Sequence, residues 1–320
     1  MFKLRQKDKL SVRTKGIGNA LVQVFVPIKF EVRVLDGNWT PYFGKYQNQR
    51  WGDWDSDSCW CLSSINSAED QMEWLWKNGM FDNDARAFFI NNGYIDGDGD
   101  FSFSERFHEI LCGNRDTGGT AQEAWQSFKD RGFIPRSMLD YTLQQAKKFT
   151  NQEDFNNDYF NPAMVTQAMK DLGQKSLNYI TIAYQRIGNA WQTPNTQLMQ
   201  KALQQAPLNF GIPVPRIVSN WNNSLVQYDG KISMDHEVEG YYLPADGIYR
   251  IFDQYLPNLK TLSKNYFIAS AVQGVINAKN PIAINPVPQP QGEENDTFWT
   301  WVFAWFNGIF KSPVPVGSTK

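Results

Sequence analysis

The sequence predicts an α+β fold in which a helical first half is followed by a β-rich second half. Apolar residues recur at helical spacing in residues 58–77, 81–90, 121–131 and across most of 162–206. From Leu208 onward, short apolar runs alternate with polar turns, which is typical of strands. Helices that precede strands in this way favour an α+β architecture. With 320 residues, of which 42% are apolar, the chain can bury a large core.

Residues 17–36 alternate apolar and polar side chains and predict one or two strands. The next strong element is a helix over 58–77, because its apolar side chains repeat at helical spacing, with Ser56 and Asp57 as plausible caps. Another helix is expected over 81–90. The repeating apolar residues of the 58–77 helix are Leu62, Ile65, Met72, Leu75 and Trp76.

The stretch "DGDGDFSFSERF", residues 96–107, has the aspartate spacing of a calcium-binding loop at its start. It has Phe101 where the loop needs glycine and Phe107 where it needs a bidentate glutamate. We therefore predict an acidic turn leading into a strand, with a weak calcium site as the alternative. The helix over 121–131 is expected to end at Gly132, a common C-cap residue.

Four runs in the second half predict strands: 208–221, 235–243, 247–255 and 264–272. The predicted organisation is an N-terminal strand segment over 1–38, acting as a strap or as a propeptide, and a main domain over 39–278. A Pro-rich linker over 279–296 and an aromatic tail over 297–320 follow. Residues 297–310 are apolar nearly all round, so they dock to another protein, pack back on the domain or lie at a membrane interface, and docking to a protein is preferred.

Bulk properties exclude several classes of function. A net charge of −2 argues against a nucleic-acid partner. No run reaches the ~18 apolar residues of a membrane-spanning helix. The basic, polar N-terminus lacks the apolar core of a signal peptide. An odd count of 3 cysteines suits a reducing compartment.

Cys59 and Cys61 flank Trp60 where the 58–77 helix begins. A zinc site would need further ligands at a familiar spacing, and none is present. A disulfide between Cys59 and Cys61 is geometrically poor because their side chains diverge on a helix. A nucleophile fits better, since a helix N-terminus stabilises a thiolate. Cys61 and Cys112 are expected to be small buried thiols.

A cysteine nucleophile needs a base, and the chain has only 2 histidines, His108 and His236. His236 begins one predicted strand and Asp253 ends the next, so neighbouring strands can bring the two side chains together. His108 lies beside the acidic turn and is expected to be structural. These residues therefore form a candidate Cys59, His236 and Asp253 triad.

Four segments resemble the papain-like cysteine peptidases. "DSCWCLSSINSAEDQ", residues 57–71, is similar to the segment around the catalytic cysteine, and residues 115–141 look like the Gly-Gly cleft loop followed by a helix. "DHEVEGYY", residues 235–242, resembles the histidine strand, and "IFDQY", residues 251–255, stands where the family has Asn-Ser-Trp. The resemblance covers about residues 40–270.

The resemblance implies a papain-like two-lobe fold and a set of site residues. Cys59 would be the nucleophile, His236 the base and Asp253 its orienting group. Gly118 and Gly119 would bind an extended polypeptide substrate through backbone hydrogen bonds. Trp60, placed with the substrate-binding residues, would brace the helix start. No cofactor and no metal are implied.

The oxyanion-hole glutamine departs from the family pattern. The family places it six residues before the cysteine, where this chain has Asp53. Gln49 and Gln47 are the candidates. We favour Gln49 because the members of the family that are encoded by tailed bacteriophages place the glutamine there. The functional prediction is a cysteine endopeptidase.

"FSFSERFHEILCGN", residues 101–114, is similar to a stretch in members encoded by tailed bacteriophages. That similarity implies a phage-encoded protein, located in the host cytoplasm or in the virion. One alternative is a catalytically inactive structural protein of a virion. Another is a peptidoglycan amidase or endopeptidase with a Cys–His site.

Overall fold

A computed structural model describes residues 28, 30–44, 49–113 and 118–281. They belong to a compact unit, Met1–Ile282. Helices dominate up to residue 176 and a sheet dominates afterwards, so the predicted α+β class is confirmed. Residues 1–27 of the predicted strap, the aromatic tail and nearly all of the predicted linker lie outside the described residues.

The described helices are α1 to α8, and most begin with a side chain that caps the first turn. Asp82, Ser104, Thr120 and Asn195 each accept a backbone N–H of the helix that follows. The helices are α1 (Cys59–Lys77), α2 (Asn83–Asn91), α3 (Glu105–Cys112), α4 (Ala121–Arg131), α5 (Leu143–Ala146), α6 (Gln152–Tyr159), α7 (Gln167–Ser176) and α8 (Thr196–Leu203).

Nine strands are present in the described residues. A two-stranded hairpin of β1 and β2 precedes α1, and the other seven form one sheet in the order β3-β9-β4-β6-β7-β8-β5. The strands are β1 (Arg50–Trp51), β2 (Trp54–Asp55), β3 (Ile180–Arg186), β4 (Leu208–Ile212), β5 (Leu225–Val226), β6 (His236–Tyr242), β7 (Arg250–Phe252), β8 (Leu259–Leu262) and β9 (Ser270–Ala278).

Helix α1 is buried along almost its whole length, because it packs against β6 and β9 as well as α3 and α4. Its polar side chains bind backbone groups of neighbouring segments. Glu69 accepts the N–H of Phe103 at 2.6 Å, and Glu73 accepts that of Phe101 at 2.6 Å. Such bonds offset the cost of burying polar groups. The helix that begins at Cys59 is thereby held firmly in the core.

Two carboxyl groups, Asp70 on α1 and Glu239 on β6, are hydrogen-bonded to each other in the core. Burial raises the pKa of Asp70 well above its usual value, and the neighbouring Glu239 raises it further. Burial likewise raises the pKa of Glu239 to about 8. The pair therefore carries protons in the folded protein at neutral pH and links α1 to β6.

Several predicted elements match closely. The helix expected over 58–77 is α1, and the one over 121–131 is α4, which ends at Gly132 with φ 66°. The N-cap of α1 is Ser58, however, and neither Ser56 nor Asp57 caps it. The first three predicted strand runs contain β4, β6 and β7, whereas the fourth, 264–272, overlaps only the first three residues of β9.

The prediction that residues 162–206 are mostly helical was wrong for 180–186, which form β3. This strand pairs antiparallel with β9 over seven residues, from Ile180↔Ala278 to Arg186↔Val272. Pairing with a strand almost a hundred residues later outweighs a local helical pattern. Residues 30–36 form no strand either, while residues 17–27 lie outside the described part of the chain.

The acidic stretch was predicted to lead into a strand, but it leads into isolated bridges and then α3. Asp96 accepts the backbone N–H groups of Asp98 and Asp100, as a turn-forming aspartate does. Among the described residues, no cluster of acidic, histidine or cysteine side chains could hold a metal ion. No helix of the described residues is long and apolar enough to cross a bilayer.

Candidate active site

Cys59 is the first residue of α1 and is only partly buried. Asp57, two residues earlier, has φ 52°, a left-handed conformation that is uncommon for aspartate. The chain therefore turns sharply just before the helix and sets Cys59 at its start. Cys59 combines the position of a helix N-terminus with access from solvent.

The hairpin of β1 and β2 brings Gln49 to the same place. Ser56 donates both its N–H and its hydroxyl to the carbonyl oxygen of Gln49, each at 3.1 Å. Gln49 therefore lies opposite Ser56, which is three residues before Cys59, although Gln49 itself is ten residues before Cys59 in the chain. The hairpin accounts for the extra residues between the glutamine and the cysteine.

His236 begins β6, and Asp253 directly follows the neighbouring strand β7. The Nε2 atom of His236 is 2.6 Å from Oδ1 of Asp253. His236 is also hydrogen-bonded to the side chain of Cys59. Because Nε2 is occupied by the carboxylate, Nδ1 is the ring nitrogen left for Cys59. The predicted Cys59, His236 and Asp253 cluster is assembled.

Opposing effects act on the charge of His236. Burial by itself lowers its pKa, but the negative charges of Asp253 and Cys59 outweigh burial and raise the pKa to about 10. For Asp253, burial raises the pKa, yet His236 and Lys260 together bring it below the usual value. The arrangement therefore favours an imidazolium beside an ionised carboxylate.

Lys260, in β8, was not predicted from the sequence. Its side chain is 0% exposed, and its Nζ forms an ion pair with Oδ2 of Asp253. It also donates to the carbonyl oxygen of Tyr255 at 2.6 Å. A lysine in a short strand seven residues after an aspartate gives no sequence signal, because the turn between them decides whether the two meet.

Two aromatic rings enclose His236. The Trp221 ring stands edge-on to the imidazole at a centroid distance of 5.4 Å, and the Tyr255 ring is also 5.4 Å away. The sequence analysis missed both residues. Tyr255 stands where the papain-like pattern has tryptophan, which is the signal that could have found it. The rings limit water around the His236–Asp253 hydrogen bond.

Gln49 belongs to a buried polar network beside this cluster. Its Nε2 donates to Oδ1 of Asp55 at 2.8 Å and to the hydroxyl of Tyr255. The Tyr255 hydroxyl donates in turn to Oδ2 of Asp55 at 2.6 Å. Burial, followed by the charge of Asp55, raises the pKa of Tyr255 well above its usual value, so its hydroxyl remains a donor. Both amide hydrogens of Gln49 are thus engaged.

The remaining predicted site residues lie close to the nucleophile. A Cβ atom on Gly118 would be 3.8 Å from the Asp57 carbonyl oxygen, so this loop lies against the segment before Cys59. Gly118 has φ 65°, which favours glycine, and both Gly118 and Gly119 are partly exposed. Trp60 is 1% exposed and packs in the core, as a residue that braces α1 would. Gln47 lies outside the described residues.

The other cysteines and His108 have different surroundings. Cys61 is buried as predicted, and burial raises its pKa well above the usual value. The prediction that Cys112 is buried was wrong, since it is only partly buried at the end of α3, and burial raises its pKa less strongly. His108 is buried with its Nδ1 2.9 Å from the Ser127 hydroxyl oxygen, and burial lowers its pKa well below the usual value. His108 therefore packs as a neutral ring.

No protein-family model matches the chain, and no curated protein matches its sequence. Solved structures of several cysteine proteases are similar at low identity. The proform of the ragweed pollen allergen Amb a 11 is 15% identical, with a TM-score of 0.46. The match covers 84% of this chain and 64% of the allergen, so this chain spans less than two thirds of that protein.

Two plant proteases whose solved structures contain the inhibitor E-64 are also similar. The Carica candamarcensis protease CMS1MS2 is 16% identical, with a TM-score of 0.46 and coverage of 75% of this chain and 97% of that one. Bromelain from Ananas comosus is 12% identical, with a TM-score of 0.45 and coverage of 75% and 96%.

Proposed function

We propose that the protein is a papain-like cysteine endopeptidase. The observation that carries the proposal is the position of His236. Its Nε2 binds the Asp253 carboxylate, and its ring is also hydrogen-bonded to the side chain of Cys59. Cysteine nucleophiles of peptidases require this combination of a base and a group that orients the base. The sequence resemblance around Cys59 and in residues 115–141 gives independent support.

In the proposed reaction, Nδ1 of His236 takes the proton of Cys59, and the thiolate attacks the carbonyl carbon of the scissile peptide. His236 then gives its proton to the leaving amine as the carbon–nitrogen bond breaks, which leaves a thioester on Cys59. Water attacks the thioester, His236 accepts a proton from it, and the acid product leaves with Cys59 restored. Asp253 keeps the imidazole in the orientation that both transfers need.

The substrate is proposed to be an extended polypeptide lying along the Gly118–Gly119 loop. Backbone groups of such a loop can pair with a peptide as an added strand does. The backbone N–H groups of the first turn of α1 have no carbonyl partner within the helix, so the N–H of Cys59 is a donor for the oxyanion. Gln49 is proposed as the second donor.

The direct test is labelling of the full chain with E-64 and, separately, with limiting iodoacetamide across pH 4–9, read by peptide mass spectrometry. We expect both reagents to modify Cys59 far faster than Cys61 or Cys112, because Cys59 is hydrogen-bonded to His236, Cys61 is buried, and the pKa of the partly buried Cys112 is raised by burial. His236→Ala should remove the reaction at low pH. Equal reaction of all three cysteines, with an ordinary thiol pH profile, would sink the proposal.

Gln49→Ala is expected to lower kcat/KM for a fluorogenic peptide about 10²-fold, the usual cost of losing one oxyanion donor. KM should change little, because the contact is made in the transition state. Gln152→Ala is a matched control. The side chain of Gln152 also binds Asp55, because its Nε2 donates to the Asp55 backbone carbonyl oxygen at 2.8 Å, but it has no hydrogen bond to Tyr255. Equal loss in both variants would assign Gln49 a structural role.

A second candidate is a catalytically inactive structural protein of a phage virion. The engagement of both Gln49 amide hydrogens by Asp55 and Tyr255 favours it, because a donor already paired must be released before it can bind an oxyanion. The phage origin, the location in host cytoplasm or virion and the docking of residues 297–310 to a protein partner remain proposals from the sequence. Cys59 labelling without any peptide turnover would favour this candidate.

A further inference from the structure

Lys260 is held in a fully buried position beside the candidate catalytic cluster. Lysine is almost never fully buried without a partner. Strands β7 and β8 pair with Ile251 opposite Lys260, and the Asp253 N–H donates to the Asn258 carbonyl oxygen at 2.8 Å. The tight return of the chain between the strands thus directs Lys260 back onto Asp253. The ion pair is a product of this local geometry.

The two oxygens of the Asp253 carboxylate have separate partners. Oδ1 is bound by His236 and Oδ2 by Lys260, so rotation of the carboxylate would break both contacts. The Lys260 Nζ also lies 5.1 Å from the centroid of the Trp221 ring, and this ring stands against the imidazole of His236. Lys260 therefore supports the position of His236 through a carboxylate on one side and an aromatic ring on the other.

We propose that Lys260 is a positioning residue of this site, which fixes Asp253 against His236 and offsets part of the negative charge that Asp253 presents to it. The site is then a chain of four groups, Cys59, His236, Asp253 and Lys260. Only the expected effect on rate depends on the proposed peptidase function. The effect on His236 itself follows from charge and distance alone.

The ionisable groups that face His236 set the sign of the effect. Asp253 and Cys59 favour the imidazolium, whereas the ammonium of Lys260 opposes it through space and by pairing with Asp253. Tyr255 contributes a protonated hydroxyl, and burial raises the pKa of Glu237, the next residue in β6, to about 8. Both groups are present in the parent and in the variant, so they do not set the sign of the difference. Loss of Lys260 therefore leaves the negative charge of Asp253 without its second positive partner, which should raise the pKa of His236.

The test uses proton NMR titration of the histidines in the full chain carrying Cys59→Ala, which removes the thiol from the coupling. With only 2 histidines, the assignment is simple, and neutral His108 serves as an internal reference. Adding Lys260→Met should raise the His236 midpoint by about 1 pH unit, a tenfold change in proton affinity. Lys77→Met is the matched control, since Lys77 also pairs with a buried carboxylate, Glu73, and should cause no shift.

Should Lys260→Met fail to fold, Lys260→Gln provides the same comparison, because its amide can still donate to Oδ2 of Asp253 but carries no charge. Lys260→Gln should again show the higher His236 midpoint. An unchanged or lowered midpoint in the variant that folds overturns the proposal, even if the melting temperature changes. A purely structural lysine would alter only the melting temperature.

Peptide turnover provides the second readout, on the chain with Cys59 intact. Lys260→Met should lower kcat about tenfold with little change in KM, because a more basic imidazolium that is less well oriented gives up its proton more slowly. If the unmodified chain turns over no peptide, the peptidase proposal fails, while the histidine titration still decides the role of Lys260. The two failures are therefore distinguishable.

Discussion

Replacement of His236 by alanine is expected to lower kcat/KM for a peptide substrate on the order of 10⁴-fold. His236 is both the base for Cys59 and the acid for the leaving amine in the proposed reaction, and no other described histidine is near the nucleophile. The other histidine, His108, is neutral and hydrogen-bonded to Ser127 in the core. Steady-state kinetics with a fluorogenic peptide, alongside thermal melting to confirm folding, measures the loss.

The companion variants are Cys59→Ala and the double variant with His236→Ala. Residues that act as one unit show strongly non-additive losses, so the double variant should be hardly slower than either single variant. Losses that multiply would mean that Cys59 and His236 act independently. A His236→Ala protein that is folded and keeps more than about a tenth of the activity contradicts the proposed mechanism.

The free energy of unfolding is expected to fall as pH rises from about 5 to 8 because of the Asp70–Glu239 pair. The pKa of Glu239 goes from 4.5 to about 8 on folding, so the folded state holds a proton that the unfolded state releases. The stabilisation is complete below 4.5 and is lost as pH passes through 8. The loss between these limits is about 4 kcal/mol for Glu239 alone, as an order of magnitude. Urea unfolding at several pH values measures it.

The matched variant is Asp70→Asn/Glu239→Gln, which keeps a hydrogen bond between the side chains but cannot ionise. Between pH 4.5 and pH 8, the free energy of unfolding of this variant should fall less than that of the parent protein, and the difference should equal the loss assigned above to Glu239. Glu153→Gln, an exposed change on α6, should retain the parental slope. If the double variant shows the parental slope, the pH dependence arises elsewhere, for example from Glu109 or Glu237, which are also buried.

The sequence by itself determined the helix that carries the nucleophile and the identity of the candidate triad. Apolar spacing located α1, and the segment around Cys59 singled it out as the candidate nucleophile. His236 and Asp253 could be chosen because histidine is scarce and the two residues lie on successive predicted strands. These features are local or compositional, so they can be read without knowing how distant segments pack.

The position of Gln49 could be predicted only in part from the sequence, and the fold decided the rest. The sequence offered two glutamines and a family position occupied by Asp53, with no local rule to choose between them. The β1–β2 hairpin and the hydrogen bonds from Ser56 to the Gln49 carbonyl oxygen place Gln49 beside the segment that leads into Cys59. The engagement of its amide by Asp55 and Tyr255 could not be predicted, since Tyr255 is about 200 residues away in the chain.

Only the tertiary structure decided the supporting groups and the sheet around them. Strand β3 exists because β9 pairs with it, against a locally helical pattern. Lys260 joins the site because of the turn after β7, and Trp221 joins it through the short 3-10 helix Val218–Asn222 that precedes β5. A single sequence records propensity and spacing along the chain. Burial, pairing and charge at a site depend on segments that meet only when the chain has folded.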